Sequence, residues 1–172
     1  MPLAVVAALA LLALDPSDAP PHLRPDPALR PFVDESARRS PSIRALIDRL
    51  EATDVIVYVR MRVFDQTALE GRVGMLTTTA AGQRYLVIEL ACGRPQVTTM
   101  ATLAHELYHA LEIAQQPAIV DAGTLAAYYR RHGVETGGSP GRLTFETEGA
   151  EQAGHQARRE LSDNTRHTWT LK

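Results

Sequence analysis

The sequence predicts an α+β fold in which a small antiparallel sheet of about three strands packs on one long helix and on further helices. In residues 55–63 an apolar side chain recurs at every second position and alternates with Tyr58, Arg60 and Arg62, as in a half-buried strand. Two further strand-like segments, residues 72–79 and 84–90, flank a turn at Ala81-Gly82. Residues 94–116 then repeat apolar side chains at helical spacing. Together these observations place one sheet beside one long helix.

Length and composition limit the number of domains and the classes of function. A chain of 172 residues is long enough for one domain with a substantial core. Its 45% hydrophobic and 22% charged residues are ordinary for a soluble globular protein. A net charge of −2, without a basic stripe or an aromatic platform, argues against a nucleic-acid partner. Cys92 is the one cysteine of the sequence and is interpreted as a small core residue.

The first 25 residues differ in character from the rest. Residues 2–14 are apolar throughout, which is typical of a signal-peptide core and too short to span a bilayer. Several prolines between residues 16 and 27 predict an extended linker. We therefore interpret residues 1–25 as a signal-like segment with its linker and residues 26–172 as a single domain. The protein is expected to be exported, secreted or periplasmic, and to contact a membrane only through an uncleaved N-terminal segment.

Two helices are predicted before the first strand. Residues 29–37 are expected to form a short helix. Ser40 followed by Pro41 is typical of a helix cap and its first turn, and apolar side chains repeat at helical spacing over residues 43–50.

Two more helices are predicted after the long one. Residues 124–132 form a helix that ends at Gly133, and a final helix is expected over residues 145–161. The glycine-rich segment 133–142 between them is interpreted as a flexible loop. It is either a lid over a site or a plain connector.

The long helix is predicted to have two unlike faces. Because a helix turns by about 100° per residue, its apolar side chains fall on one face and form a stripe. This stripe consists of Met100, Leu103, Ala104, Leu107, Leu111 and Ala114. His105, His109 and Glu112 fall on the opposite side. We expect the stripe to pack on the core while the histidines face a cleft.

The stretch His105-Glu106-Leu107-Tyr108-His109 is the motif that points to chemistry. Two imidazoles one helical turn apart can hold one face of a zinc ion, and Glu106 can handle the proton of a water. An ordinary polar helix face is the alternative. Zinc is favoured because the sequence has only six histidines, and two of them flank a glutamate at this spacing.

Zinc needs a third protein ligand, with the fourth position left to water. The candidates are Glu146, Glu148, Glu151, Glu112, Asp121 and His132. If the last helix includes Glu146, that residue shares a face with Ala150 and Ala157, and a carboxylate aimed at a core is costly unless it is paired or metal-bound. Glu146 is therefore favoured, and the other candidates remain open.

Simpler roles are expected for the other candidates. Glu148 and Glu151 suit solvated positions at a helix N-terminus, and Asp121 suits a helix cap. Glu112 either orients a ligand or is solvated. Four other side chains could donate a hydrogen bond to a developing oxyanion: Tyr128, Tyr129, His132 and His155. For each of them, packing or solvent exposure is the simpler expectation.

With its helical motif after a sheet and a glutamate further on, the chain resembles the zincin metallopeptidases of the gluzincin type, in particular their small single-domain members. The resemblance implies that His105, His109 and Glu146 bind Zn²⁺ and that Glu106 is the general base. Gluzincins usually carry an acidic residue four positions after the ligand glutamate, where this chain has Ala150. The glycine and third histidine that follow the motif in metzincins are not present in this sequence.

The predicted function is zinc-dependent hydrolysis of peptide bonds in a peptide or protein substrate. The strand at residues 84–90 is expected to bind that substrate as an added strand. A non-catalytic zinc-binding module that binds a partner is one alternative. A metal-free structural or interaction protein is the other.

Overall fold

In the computed structural model of the chain, the described residues are 21–66, 68–139 and 142–167. The predicted signal-like segment at residues 2–14 lies outside them, so export stays a prediction. The strands are β1 (Leu23–Pro25), β2 (Val55–Arg62), β3 (Gly71–Thr78), β4 (Arg84–Ala91), β5 (Val134–Ser139) and β6 (Arg142–Glu146). The α-helices are α1 (Arg30–Arg39), α2 (Pro41–Glu51), α3 (Gln96–Ala114), α4 (Ala122–His132) and α5 (Glu148–His167).

The fold is α+β, but the main sheet is mixed and four-stranded rather than antiparallel and three-stranded. Its strand order is β1-β2-β4-β3. The predicted hairpin of β3 and β4 is confirmed as antiparallel, with Gly82 in its turn at a φ of 84°. However, β2 pairs with β4 in parallel. After β2 the chain first forms β3 at the edge of the sheet and then returns as β4, which lies between β2 and β3. Alternation of side chains is the same in both kinds of pairing, so the pattern could not distinguish them.

The sheet begins earlier in the chain than expected. Residues 23–25, which we assigned to the linker, form β1 and pair in parallel with residues 57–59 of β2. Leu23 is buried in the core, and the backbone N–H groups of His22 and Leu23 donate to the carboxylate of Glu51 at 2.8 and 3.2 Å. The predicted start of the domain at residue 26 is therefore too late, because a three-residue strand that ends in a proline leaves no visible periodicity.

One face of the main sheet carries the helices. Val55, Val57 and Val59 point to this face and are fully buried, as the alternation in β2 predicts. The predicted cap of α2 is confirmed, since the Ser40 hydroxyl accepts a hydrogen bond from the backbone N–H of Ile43 at 3.2 Å. The core between sheet and helices also contains Leu46, Leu50, Leu86, Ile88, Leu90, Met100, Leu103 and Leu107.

Helix α3 lies at the centre of the molecule, between β3 and α5. Its predicted apolar stripe is buried apart from Ala114, which is half-buried. Burial also extends to the other side, where Glu106 and His109 are each only 4% exposed. The expected open histidine face is therefore partly covered. Small residues of α5 allow this close packing, and a Cβ at Gly154 would lie 3.4 Å from the His105 Cβ.

Two connections differ from their predicted form. Residues 134–139 and 142–146, expected to hold a loop and the start of the last helix, form the two antiparallel strands of the β5–β6 hairpin, and α5 begins at Glu148. Cys92 is exposed rather than buried, because the chain leaves the sheet there in a turn at Gly93, whose φ is 76°. Among the helices of the described residues, none combines the length and apolar character needed to cross a bilayer.

Candidate metal centre

His105, His109 and Glu146 come together at one point. The two histidines lie one turn apart on α3, and their Nε2 atoms are 3.1 Å from each other. Glu146 Oε2 lies 2.8 Å from His105 Nε2 and 3.8 Å from His109 Nε2. The fold thus brings together the three residues that the sequence predicted as ligands.

Glu146 reaches this point by a route that the sequence did not predict. It is the last residue of β6, where it pairs with Val134, so its predicted position in the last helix was wrong. Thr147 separates the strand from α5, and its hydroxyl accepts a hydrogen bond from the backbone N–H of Ala150 at 3.3 Å. The side chain of Glu146 faces the histidines because β6 leads directly into the helix that packs beside α3.

The donor set fits a zinc ion. Ligand bonds of roughly 2.0–2.1 Å in a tetrahedron place neighbouring ligand atoms about 3.3 Å apart. The distances between the three ligand atoms here are 2.8, 3.1 and 3.8 Å, on either side of that value. Glu146 Oε2 is buried and makes no hydrogen bond of normal geometry, although it lies close to His105. A buried acceptor normally has a partner. A cation shared by the three ligand atoms would satisfy it.

The Nδ1 atom of His109, on the side of the ring away from the other ligand atoms, has two hydrogen-bonding partners. His109 Nδ1 lies 2.8 Å from Glu112 Oε2 and 3.1 Å from the Tyr129 hydroxyl. A proton on Nδ1, donated to Glu112, leaves the Nε2 lone pair free to face His105 and Glu146. Glu112 thus orients His109, which is one of the two roles that the sequence left open. Tyr129 lies on the side away from the ligand atoms, so it is not positioned as an oxyanion donor.

The charges around the histidines favour a cation at the centre. Burial alone would lower the pKa of His109, but the hydrogen bond to Glu112 and the nearby carboxylates of Glu146 and Glu106 raise it to about 9. For Glu146, burial is outweighed by the nearby rings of His105 and His109, which lower its pKa to about 2. Both shifts have one origin, which is a cluster of carboxylates around two imidazoles.

Glu106 is in a different environment, directed toward β3. Burial raises its pKa to about 7, against the opposing charges of His105 and His109, and the backbone of Val73 contributes a hydrogen bond. Gly71 makes room for the carboxylate, since a Cβ there would lie 2.9 Å from Glu106 Oε1. Gly71 was not predicted as a site residue, although a glycine within a strand often marks a close approach of another group.

A cleft of about 760 Å³ opens onto this cluster. Its wall includes His105, Glu106, His109 and Glu146, the edge strand β3, and Leu125 of α4. The cleft is also lined by Arg60 and Arg72, which lie beside Glu89 on the other face of the sheet. A ligand lying along β3 would therefore meet both faces.

The remaining candidate ligands lie elsewhere. Glu148 and Glu151 are exposed in the first turn of α5, as expected. Asp121 caps α4 by accepting a hydrogen bond from the backbone N–H of Thr124 at 2.7 Å. His132 is exposed and its ring stacks on Tyr128, while His155 is exposed on α5. Within the described ranges, none of these residues joins the cluster of three.

No protein-family model, curated protein or solved structure matches the chain.

Proposed function

We propose that the protein is a zinc-dependent peptidase in which His105, His109 and Glu146 hold the ion and Glu106 is the general base. The observation that carries this proposal is the convergence of three ligand atoms, all within 4.8 Å of one another, beside a buried carboxylate. Two imidazoles and one carboxylate are a donor set that catalytic zinc uses, with one position left for water or substrate.

A bound zinc ion would polarise the substrate carbonyl and lower the pKa of water to about 7. The chain itself supplies the proton transfers. Glu106 accepts a proton from the attacking water and passes it to the nitrogen of the leaving amine. A carboxyl group whose pKa is raised to about 7 suits both steps, because it can take up and release a proton near neutral pH. Glu112 and Tyr129 keep His109 oriented throughout.

An extended substrate would form backbone hydrogen bonds with β3, not with β4. The prediction for residues 84–90 was wrong, because β4 lies between β2 and β3 and both of its edges are paired. β3 has β4 on one side only in the described part of the chain, so its other edge can pair with an extended peptide. Gly71 and Val73 place this edge beside Glu106.

The order of the elements supports a zincin-like, gluzincin-type assignment. A sheet precedes the helix that carries the motif, and the third ligand follows from a later element. Ala150 departs from the pattern of that family, in which an acidic residue usually stands at this position. Here the bracing carboxylate comes instead from Glu112, one turn after His109 on the same helix.

The experiment compares Glu106→Gln with the wild-type protein, both purified without a histidine tag and loaded with zinc. We expect hydrolysis of a broad peptide library to fall by about 10²–10⁴-fold, because only the proton acceptor is removed, and the metal content to stay the same. Glu148→Gln is the matched control, since it removes an exposed carboxylate near the cluster. Retained hydrolysis in Glu106→Gln rules out the base assignment. Bound zinc without turnover in the wild type identifies a non-catalytic zinc module.

A further inference from the structure

A second charged cluster lies on the face of the sheet opposite α3. Glu89 of β4 is 1% exposed, and three guanidinium groups converge on it. Arg60 and Arg62 reach its Oε1 at 2.6 and 2.8 Å, and Arg72 reaches its Oε2 at 2.5 Å. Arg60 alone already makes two hydrogen bonds to Glu89, so a simple ion pair would not require the other two arginines.

The cluster has an excess of positive charge that faces solvent. Burial by itself would raise the pKa of Glu89, but hydrogen bonds from Arg60, Arg62 and Arg72 lower it to about 2, so the carboxylate is ionised. Three guanidinium groups against one carboxylate leave two positive charges. The three arginine side chains remain 46%, 42% and 38% exposed, in chain order. Such a cluster attracts anions.

The register of the strands arranges these charges in a line. Arg60 of β2 is the partner of Glu89 in β4, and Glu89 is the partner of Arg72 in β3. The signs therefore alternate across three neighbouring strands, and we call this line Arg60–Glu89–Arg72 the charged row. It ends at β3, whose far edge is unpaired in the described residues. The ring of Phe64 supports the Arg72 guanidinium from one side, 5.5 Å away.

We propose that the charged row selects an acidic side chain of an extended polypeptide, an Asp or Glu that lies opposite Arg72 on a strand added to β3. Opposite charges directly across two strands stabilise their pairing, and strands lie about 4.8 Å apart. A negative side chain at this place continues the alternation of signs. The added strand is the substrate of the proposed peptidase, and in this respect the inference rests on the proposed function.

The same geometry relates the acidic residue to the metal centre. Successive side chains of a strand point to opposite faces. The neighbours of a residue opposite Arg72 therefore point to the face of Gly71 and Val73, where Glu106 lies. Residues from both faces of β3, among them Arg72 and Val73, line the same cleft. One acidic residue is thus expected in the bound segment, directly next to residues that face Glu106.

The test measures binding, so that it does not depend on turnover. Two labelled decapeptides of extended, neutral sequence differ only in a central Asp or Asn, and fluorescence anisotropy gives their affinities for the full-length Glu106→Gln protein with zinc present. We expect the Asp peptide to bind about tenfold more tightly, as one charge-assisted hydrogen bond allows, and Arg72→Gln to remove the difference. Arg44→Gln is the control, because it removes an exposed charge from α2, away from the row.

Each outcome decides the inference. Equal affinities for the two peptides overturn it, and so does an Asp preference that survives Arg72→Gln. If Arg72→Gln does not fold, Arg62→Gln takes its place, because it removes an excess charge and leaves Arg60 and Arg72 on Glu89. In that variant the preference should weaken at least twofold, and an unchanged preference overturns the inference.

Hydrolysis is scored separately in the wild type. Cleavage without any acidic preference keeps the proposed peptidase and overturns the role of the charged row. An Asp preference in a protein that binds no zinc keeps the row and overturns the peptidase. If both hold, the acidic residue in the cleaved peptides should stand at one fixed position relative to the broken bond.

Discussion

The hydroxyl group of Tyr129 lies 3.1 Å from Nδ1 of His109, with the two rings at 89° to each other. The same hydroxyl lies 3.3 Å from Glu112 Oε2. One helix thus supplies the histidine and its carboxylate partner, and α4 supplies a phenol that holds both in place. The proposed ligand face of His109 is therefore set from two elements.

Removing the support of His109 should weaken metal binding without removing a ligand. In Glu112→Gln we expect a 10–100-fold lower zinc affinity, because an uncharged amide orients and polarises the imidazole less well. Tyr129→Phe should have a smaller effect in the same direction, because Glu112 remains. Competition with a zinc-binding dye measures both affinities. Wild-type affinity in Glu112→Gln would show that this contact has no bearing on the metal.

Loss of the carboxylate of Glu146 should affect metal binding more strongly. Glu146→Ala removes a proposed ligand, and we expect zinc affinity to fall by more than about 100-fold, beyond the effect of a residue that only braces a ligand. Metal content after dialysis gives the measurement. Glu148→Ala, two residues further on and exposed, is the control and should retain its zinc. Equal metal content in the two variants would move the third ligand to another residue.

Gly71 and Gly74 offer a matched pair of substitutions on β3. A Cβ at Gly71 would lie 2.5 Å from the Thr102 Cγ2 and 2.9 Å from Glu106 Oε1, whereas a Cβ at Gly74 would meet nothing within 4 Å. Gly71→Ala should lower the free energy of unfolding by about 1–3 kcal/mol through overpacking, and reduce peptidase activity by displacing Glu106. Gly74→Ala should leave both unchanged or slightly raise stability. Chemical denaturation and a peptidase assay compare them, and equal behaviour would contradict the close contact.

The charged row predicts a specific response to acid. The pKa of Glu89 is lowered in the folded protein to about 2 from a usual value of 4.5, so its ionised form stabilises the fold above pH 4.5. That contribution, on the order of 2–3 kcal/mol, is lost as the pH falls from about 4.5 to 2. Glu89→Gln should be less stable at pH 7 and should lack this part of the acid dependence. Glu35→Gln, which breaks a surface pair with Arg38, should retain it.

Local patterns predicted the elements better than their pairing. The apolar spacing of α2 and α3 and the alternation in β2 identified these elements, because burial on one side imposes a period on the residues themselves. The parallel pairing of β2 with β4 leaves no such period, since it depends on where the chain crosses between strands. The pairing of residues 134–139 with residues 142–146 was missed because glycines there are as typical of a loop as of a twisted, irregular ribbon.

The candidate site shows the same division. His105, Glu106 and His109 form a local motif, so one helix fixes their relation before any tertiary contact forms. Glu146 was chosen on the assumption that it lay in a helix, and it reaches the histidines from a strand instead. Gly71 and the charged row were missed because their significance depends on contacts between distant segments. In Arg60, Glu89 and Arg72 the sequence shows only ordinary charged residues on predicted strands.

The placement of Glu146 on the β5–β6 hairpin, away from the helix that carries both histidines, has a mechanical consequence. An ion held by all three would fasten the hairpin to α3 as a cross-link does, closing a long stretch of chain that includes α4. Chelation would then release the hairpin while α3 stays anchored in the core. Amide hydrogen exchange in β5 and β6 should rise when the ion is withdrawn, because β6 would then separate from α3 on its side of the cleft.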